Sequence, residues 1–226
     1  ELPEGTRDVS YYFKDFLDFF DSHEDLTDPV DYEEFSKLVD IESARDYFAV
    51  QIWINNKWDW PGKNWSMWRT TKMNEANPYA DCRWRFVFYD VEFGGVSGKN
   101  DAYTNTIKEN NYKPYGMLDR DTDNPAVLIY VYLMTNEGFR EEFETALLSL
   151  SNNHFSYDRA SKELNKFKDI YSPLFDQFFE RYPGSGSRNN SINGGYASYK
   201  CILDFTSIRA DYIRPMLDYV YDFYSN

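Results

Sequence analysis

The sequence predicts a mainly α-helical domain that carries one small β-hairpin. Apolar residues recur at three- and four-residue steps in several segments, among them residues 9–20 and 137–150, and this spacing is typical of amphipathic helices. Two shorter runs, residues 67–71 and 83–90, contain aromatic and β-branched residues and are separated by a polar segment. The 226 residues are 42% hydrophobic and 19% aromatic, which suffices for one core, so we expect residues 1–226 to form a single domain.

Proline, asparagine and aspartate mark the ends of the helices predicted before the hairpin, which cover residues 9–20, 32–38 and 41–53. Pro29 and Asp31 open the second of these helices, because both residue types favour the first helical turn. Asp40 has the type and position of an N-cap for the third helix. Asn55 and Asn56 are expected to end it.

Beyond the hairpin we expect a glycine-rich turn and then helices separated by loops. Residues 99–124 show little periodicity, so no element is predicted there. Pro125 suits a helix start, and Pro173 is expected to divide a long helix into two pieces. The predicted helices cover residues 127–134, 137–150, 157–182 and 197–224, the last with a break near Pro215, and residues 183–195 are predicted to be a surface loop.

The charge balance restricts the partners of the chain. Lys and Arg number 24 against 38 Asp and Glu, which gives a net charge of -14. Such a surface repels nucleic-acid phosphate and anionic lipid, so we exclude nucleic acid and membrane as general partners. A nucleotide can still bind through a local basic group or a bridging metal ion.

Neither the start of the chain nor its cysteines indicate a special compartment. Glu1 is not an initiator methionine, no signal-peptide pattern follows it, and no run is apolar enough to cross a bilayer, so we expect a piece of a longer protein. Cys82 and Cys201 are far apart, and with only two histidines available they make no zinc set. We expect two free or half-buried thiols.

An aspartate and an asparagine five positions apart follow the third predicted helix. Asp59 and Asn64 form an Asp-x-x-x-x-Asn motif that a Pro-Gly pair interrupts. In protein-kinase catalytic loops, an aspartate at this spacing faces the acceptor hydroxyl and the asparagine holds a metal ion. The alternative is an Asx-turn at Asp59 with Asn64 capping the next element. The same spacing between Asp119 and Asn124 shows that the motif means little alone.

A second acidic motif, Asp-Val-Glu-Phe-Gly at residues 90–94, closes the second predicted strand. It resembles the Asp-Phe-Gly element that carries a Mg²⁺-binding aspartate, although acids and glycines at a strand end also simply enter a turn. If folding brings Asp59, Asp90 and Glu92 together, their repulsion raises the pKa of at least one carboxyl unless a cation lies among them. Such a cluster favours a metal ion. Lys63 lies in the same loop and could neutralise phosphate, although a solvated lysine is the default interpretation.

The tryptophans offer an alternative function. All six lie within residues 53–84, and Trp58, Trp60, Trp65 and Trp68 could form a stacking platform for sugar rings. Each ring removes about 150–250 Å² from water when it is buried, so a chain seldom leaves several exposed. We therefore expect most to anchor the core, with at most one or two lining a cleft.

Several segments of the chain together resemble the spore-coat protein H (CotH) kinase family: residues 47–51, 59–64, 84–86, 90–94, 136–143 and 207–209. The resemblance covers most of the chain. It implies an atypical protein-kinase-like fold that binds ATP and Mg²⁺ and phosphorylates serine or threonine in proteins. It also implies a bacterial protein that is secreted or lies on the cell or spore surface, often with cellulosomal partners.

The resemblance assigns roles to four residues. Asp59 matches the catalytic aspartate, and Asn64 matches the asparagine on the metal side. Asp90 matches the metal-binding aspartate, with Glu92 as the second acid. Lys63 is a candidate nucleotide-binding residue only because of its charge and its place in the loop. Glu92 departs from the family pattern because its side chain is longer than that of aspartate.

The chain departs from the family pattern in a second way. The nucleotide-binding N-terminal lobe of the family is not recognised ahead of the helix at residues 9–20. The resemblance therefore implies the C-terminal lobe of an atypical protein-kinase-like fold, and such a fragment is expected to be inactive in isolation. The alternatives are a non-catalytic pseudokinase or scaffold module of an extracellular multi-domain protein, and a tryptophan-lined carbohydrate-binding module.

Overall fold

The computed structural model describes residues 10–110, 116–118, 120–122 and 124–225, and for residues 10–13 it describes the backbone alone. Val9, where the first predicted helix starts, and Asp119 lie outside these ranges. Within them, the chain folds into ten α-helices and one two-stranded sheet, which confirms the mainly helical class with a small hairpin. None of the described helices combines the length and the apolar composition that a bilayer crossing requires.

The elements follow one another in this order: α1 Ser10–Ser22, α2 Pro29–Leu38, α3 Ile41–Trp53, β1 Ser66–Trp68, β2 Arg85–Val87, α4 Lys99–Ala102, α5 Pro125–Thr135, α6 Glu137–Ser149, α7 Tyr157–Arg181, α8 Arg188–Asn193, α9 Tyr199–Arg209 and α10 Ile213–Ser225. A π-helical turn, Leu150–His154, follows α6, and a 3₁₀ turn, Ala210–Tyr212, separates α9 from α10.

Side-chain caps explain why several helices begin where they do. The carboxylate of Asp40 accepts a hydrogen bond from Ser43 N at 3.0 Å, which confirms the predicted cap of α3. Asp28, rather than Asp31, caps α2. Asn124 caps α5 and Asn136 caps α6 in the same manner. Asparagine and aspartate at these positions satisfy amides that the first helical turn would otherwise leave unpaired.

The core forms around α3 and α5. Helix α5 is apolar on nearly every side, and its buried residues show that neighbouring elements surround it. From α3, Phe48 reaches three of these elements at once. Its ring centroid lies 6.1 Å from that of Trp60, 5.0 Å from that of Phe86 on β2 and 5.1 Å from that of Tyr130 on α5. The segment that follows α3 is thereby packed against both the hairpin and α5.

The hairpin is antiparallel, with Met67 opposite Phe86, and its strands are shorter than the predicted runs 67–71 and 83–90. Cys82 has a φ of 66°, a left-handed value that takes the preceding residues out of the ladder. The side chains of residues 71–79 are exposed, so the connection between the strands is a surface loop.

Arg85 fastens the hairpin to the start of α3. Its guanidinium is buried and lies 2.7 Å from a carboxylate oxygen of Asp40 and 2.7 Å from one of Asp81. The hydrogen bonds from Arg85 hold the pKa of Asp81 far below its ordinary value, so this carboxyl stays charged. Asp40 therefore both caps α3 and binds the hairpin through its ion pair with Arg85.

The second half of the chain differs from its prediction in three places. Helix α7 runs through Pro173 without a break, so the predicted division into two pieces is wrong. Helix α8 lies in the segment predicted to be a loop, with Ser187 as its N-cap, and α4 lies in residues 99–124. The predicted interruption near Pro215 is confirmed by the 3₁₀ turn that separates α9 from α10. Cys82 and Cys201 are free thiols, as expected.

Candidate functional site

The loop that follows α3 is anchored at two points. Trp60 is fully buried, and its backbone amide donates to Asn56 O at 3.1 Å. On the other side, the amide of Asn124 donates to Pro61 O at 2.9 Å, so the N-cap of α5 also holds the loop. The Trp60–Pro61 peptide bond is cis. These contacts fix the backbone on both sides of the acid–amide motif.

Asp59 lies in this loop with only 4% of its surface exposed, and its two carboxylate oxygens have different partners. Lys63 Nζ lies 2.6 Å from Oδ1, and Asn64 Nδ2 donates to Oδ2 at 2.7 Å. Asn64 has a φ of 58°, a left-handed conformation that asparagine tolerates better than most residues. The Asp-x-x-x-x-Asn motif therefore closes on itself through its side chains.

The second acidic motif leaves the end of β2 and turns towards Asp59. Asp90 has a φ of 54°, which redirects the chain after the strand. Gly95 has a φ of 65°, and a Cβ at this position would lie 2.9 Å from the ring of Phe205, so only glycine fits. The glycine that follows the motif thus lets the turn pack directly on α9.

Folding brings the three predicted acids together. Asp59, Asp90 and Glu92 each offer one carboxylate oxygen, and these oxygens lie within 4.8 Å of one another. In the described part of the chain, this is the one group of three or more acidic, histidine or cysteine side chains that is spaced to hold a metal ion. Asp59 forms the buried floor of the group, whereas Asp90 and Glu92 are exposed at its mouth.

The electrostatics of the group reflect its crowding. A hydrogen bond with Asp90, with the negative charges of Asp90 and Asp59 adding to it, raises the pKa of Glu92. The hydrogen bond to Asp59, followed by the charge of that carboxylate, raises the pKa of Lys63. The cluster therefore favours both a proton on a carboxyl group and a nearby cation.

The donor chemistry fits a hard divalent cation. Mg²⁺ and Ca²⁺ take oxygen ligands, and the cluster provides carboxylate oxygens from three residues. Asn64 donates through its nitrogen to Asp59, which leaves its amide oxygen as a further candidate ligand. A cation here would relieve the repulsion from Asp90 and Asp59 that contributes to the raised pKa of Glu92.

A buried arginine behind the loop is a positioning residue that the sequence did not reveal. Arg209 is fully buried on α9, and burial lowers its pKa to about 9, which leaves it protonated at neutral pH. Its guanidinium donates to the end of α3, to the end of α4 and to the segment after α4, at Trp53 O (2.8 Å), Ile52 O (2.7 Å), Ala102 O (3.1 Å), Thr104 O (2.6 Å) and Thr106 Oγ1 (2.8 Å). This one side chain therefore joins α4 and the segment after it to the end of α3, where the candidate loop starts.

The tryptophans divide between core and surface. Trp53, Trp60 and Trp84 are buried, and Trp65 packs partly buried against the core. Trp58 is 57% exposed and Trp68 is 39% exposed. A sugar platform that includes Trp60 is therefore wrong, because this ring has no accessible face.

A large groove in the described part of the chain lies elsewhere. It has a volume of about 790 Å³ between α3 and α6, and its lining includes Arg45, Glu142 and His154 but none of the residues of the acidic cluster. A search for the functional site by cavity volume alone would therefore miss the acidic cluster.

Comparison with known proteins supplies the context for this geometry. A family model described as "CotH kinase protein" matches residues 1–213 of the 226 residues. Searches of curated proteins and of solved structures gave no significant match. The matched span contains the loop, the hairpin, the acidic cluster and Arg209, and the family is one of kinase-like proteins. The chain therefore belongs to the CotH kinase family.

Proposed function

We propose that residues 1–226 are the C-terminal lobe of an atypical, ATP- and Mg²⁺-dependent protein kinase that modifies serine or threonine. The observation that carries the proposal is the convergence of Asp59, Asp90 and Glu92 within 4.8 Å of one another. Family membership supports a kinase-like domain. The acids come from two motifs that are separated in sequence, and each has the residue types that phosphoryl transfer requires.

In this proposal Asp59 accepts the proton of the acceptor hydroxyl. Its carboxylate is held by Lys63 and Asn64, so it needs no reorientation before it accepts the proton. Bound Mg²⁺–ATP would supply the phosphoryl group and neutralise part of its charge. Asp90, Glu92 and the amide oxygen of Asn64 hold the ion, and the exposed ammonium of Lys63 lies at the mouth of the cluster to face phosphate oxygens.

The wider assignment rests on the family as well. We propose a bacterial protein that acts outside the cell or on the cell or spore surface, and whose substrate is another protein at that surface or in a cellulosome. A lobe that grips the nucleotide from above the exposed mouth of the cluster would complete the site.

One observation favours a second candidate, a non-catalytic scaffold. Glu92 replaces the shorter acid, and in this structure it shares a hydrogen bond with Asp90 rather than leaving both carboxylates available. A pseudokinase that uses the fold only for protein contact would tolerate this change.

Calorimetric titration with Mg²⁺–ATP tests the metal assignment. Asp90→Asn should weaken binding at least about tenfold, because a charged ligand of the ion is lost. Asp169→Asn, which removes the same charge from an exposed position on α7, should leave binding unchanged. Equal binding by the wild type and Asp90→Asn would remove the assignment.

Label transfer from ATP to a serine-rich acceptor separates the kinase from the scaffold. A kinase transfers label, and Asp59→Asn abolishes the transfer while it leaves Mg²⁺–ATP binding largely intact. A protein that binds Mg²⁺–ATP and transfers no label in its full-length form is the scaffold.

A further inference from the structure

An unpartnered apolar face runs along α7. Six of its side chains, here called the α7 stripe, recur at three- and four-residue steps and are each 46% to 54% exposed: Phe167, Ile170, Tyr171, Leu174, Phe178 and Tyr182. At a rise of about 1.5 Å per residue, the stripe is roughly 22 Å long. A continuous apolar strip of this kind often marks an interaction site.

Helix α7 packs against its own chain with a different face. Ser172 is buried, and the ring centroid of Phe175 lies 6.5 Å from that of Tyr199 on α9. Phe179 lies under the loop at Gly186, where a Cβ would be 3.1 Å from its ring. Helix α7 therefore packs against α9 and the loop at Gly186 with these residues, while the stripe keeps about half of each of its side chains exposed.

The stripe is complementary to itself when two copies lie antiparallel. With a two-fold axis close to Ser172 and Pro173, Phe167 faces the partner's Phe178, and Tyr171 faces the partner's Leu174. These residues lie at equal distances on either side of the axis in the sequence. Such an isologous arrangement is the commonest symmetry of homo-oligomers.

The charges at the two ends of the stripe select the same arrangement. Glu163 and Arg181 are 18 residues apart (181 minus 163), which is five turns at about 3.6 residues per turn, so both lie on one edge of the helix. An antiparallel pair places Glu163 opposite the partner's Arg181 at both ends. A parallel pair would oppose like charges.

The area is sufficient for a reversible dimer. Half of about 150–250 Å² from each of the four aromatic side chains gives roughly 300–500 Å² on each copy, before Ile170 and Leu174 are added. Weak specific interfaces bury less than about 1,200 Å² over both partners, so the stripe is within their range.

We propose that the α7 stripe is a self-association surface through which two copies of the chain pair antiparallel. The proposal is independent of the chemistry at Asp59. It predicts a concentration-dependent dimer of twice the 26.9 kDa chain mass. A protein that stays monomeric up to about 100 µM, the range in which weak interfaces form, overturns it.

Sedimentation equilibrium on matched variants locates the interface. Leu174→Glu places a carboxylate next to the two-fold axis in both copies and should raise the dimer Kd at least about tenfold. Asn165→Asp adds the same charge at an exposed position of the same helix, half a turn around the helix axis from Leu174, and should change the Kd less than about twofold. A dimer that Leu174→Glu leaves intact overturns the assignment.

Charge exchange tests the register. Glu163→Arg and Arg181→Glu should each raise the Kd about three- to tenfold, because each opposes like charges. The double variant should restore the Kd to within about twofold of the wild type. Circular dichroism of each variant checks that the helices are retained. Failure of the double variant to recover dimerisation, with the fold intact, overturns the antiparallel arrangement.

Discussion

Lys63 Nζ lies 2.6 Å from Oδ1 of Asp59, and the two partners of this ion pair differ in their exposure. The Lys63 side chain is 63% exposed, whereas that of Asp59 is only 6% exposed. The buried carboxylate of Asp59 thus holds the exposed ammonium group of Lys63 at the mouth of the acidic cluster. This arrangement keeps a positive charge ready for an anionic ligand without burying it.

The first prediction concerns that cation. Lys63→Met should lower Tm, because it leaves the buried carboxylate of Asp59 without its cation. It should weaken Mg²⁺–ATP binding about tenfold, because a phosphate contact is lost. Calorimetry measures the affinity, and Lys72→Met, in the exposed hairpin loop, is the matched control. If both variants bind alike, Lys63 is only a solvated side chain.

The second prediction concerns pH. Folding raises the pKa of Glu92 above its ordinary 4.5, so its contribution to stability is fully present below pH 4.5 and is lost as the pH rises through the folded-state pKa. Without divalent metal, Glu92→Gln should therefore raise Tm at pH 7 and leave it unchanged at pH 4. Thermal unfolding followed by circular dichroism measures both values.

Adding Mg²⁺ at pH 7 should reverse that order. The wild type is expected to gain more in Tm than Glu92→Gln, because the ion replaces the proton and binds the carboxylate. Glu75→Gln, at an exposed position in the hairpin loop, should show neither effect. A Glu92→Gln variant that gains as much from Mg²⁺ as the wild type would show that Glu92 is not a ligand.

The third prediction concerns Arg209. Arg209→Met should lower the free energy of unfolding by at least about 3 kcal/mol, since each buried acceptor left without a donor costs about 1–3 kcal/mol. Arg209→Lys should recover only part of this loss, because one ammonium cannot reach five acceptors. Urea denaturation measures both variants. A loss below about 1 kcal/mol for Arg209→Met would contradict the positioning role.

The fourth prediction compares two tryptophans of the same loop. Trp60→Ala should cost about 3–5 kcal/mol of stability, because a fully buried ring is removed. Trp58→Ala, at a position that is 57% exposed, should cost less than about 1 kcal/mol. Urea denaturation distinguishes them. An insoluble polysaccharide that retains the wild type but not Trp58→Ala would revive the carbohydrate-binding alternative.

Local signals in the sequence predicted much of the fold. Asp40 and Pro125 mark helix starts because the capping carboxylate and the fixed φ of proline act over a few residues. The convergence of Asp59 with Asp90 was also predictable. One acid follows α3, the other follows β2, and the hairpin packs on α3 through Phe86 and Phe48. The roles of these acids in catalysis and metal binding stay predictions.

Other features depend on tertiary contacts that periodicity does not contain. Pro173 was expected to break α7, but the helix continues because Ser172 and Phe175 on either side of it are held against the rest of the chain. A helix interior tolerates proline when such packing outweighs a cost of about 3 kcal/mol. Arg209 gave no local signal either, because its acceptors lie more than a hundred residues earlier in the chain.

The hairpin loop has a practical consequence. Its residues 71–79 are exposed, while Arg85 with Asp81 fastens its base to the rest of the molecule. A fluorophore or a small inserted domain at the tip should therefore be tolerated without disturbing the fold. The protein thus offers a permissive attachment point from which nucleotide binding and dimerisation could be followed in the same sample.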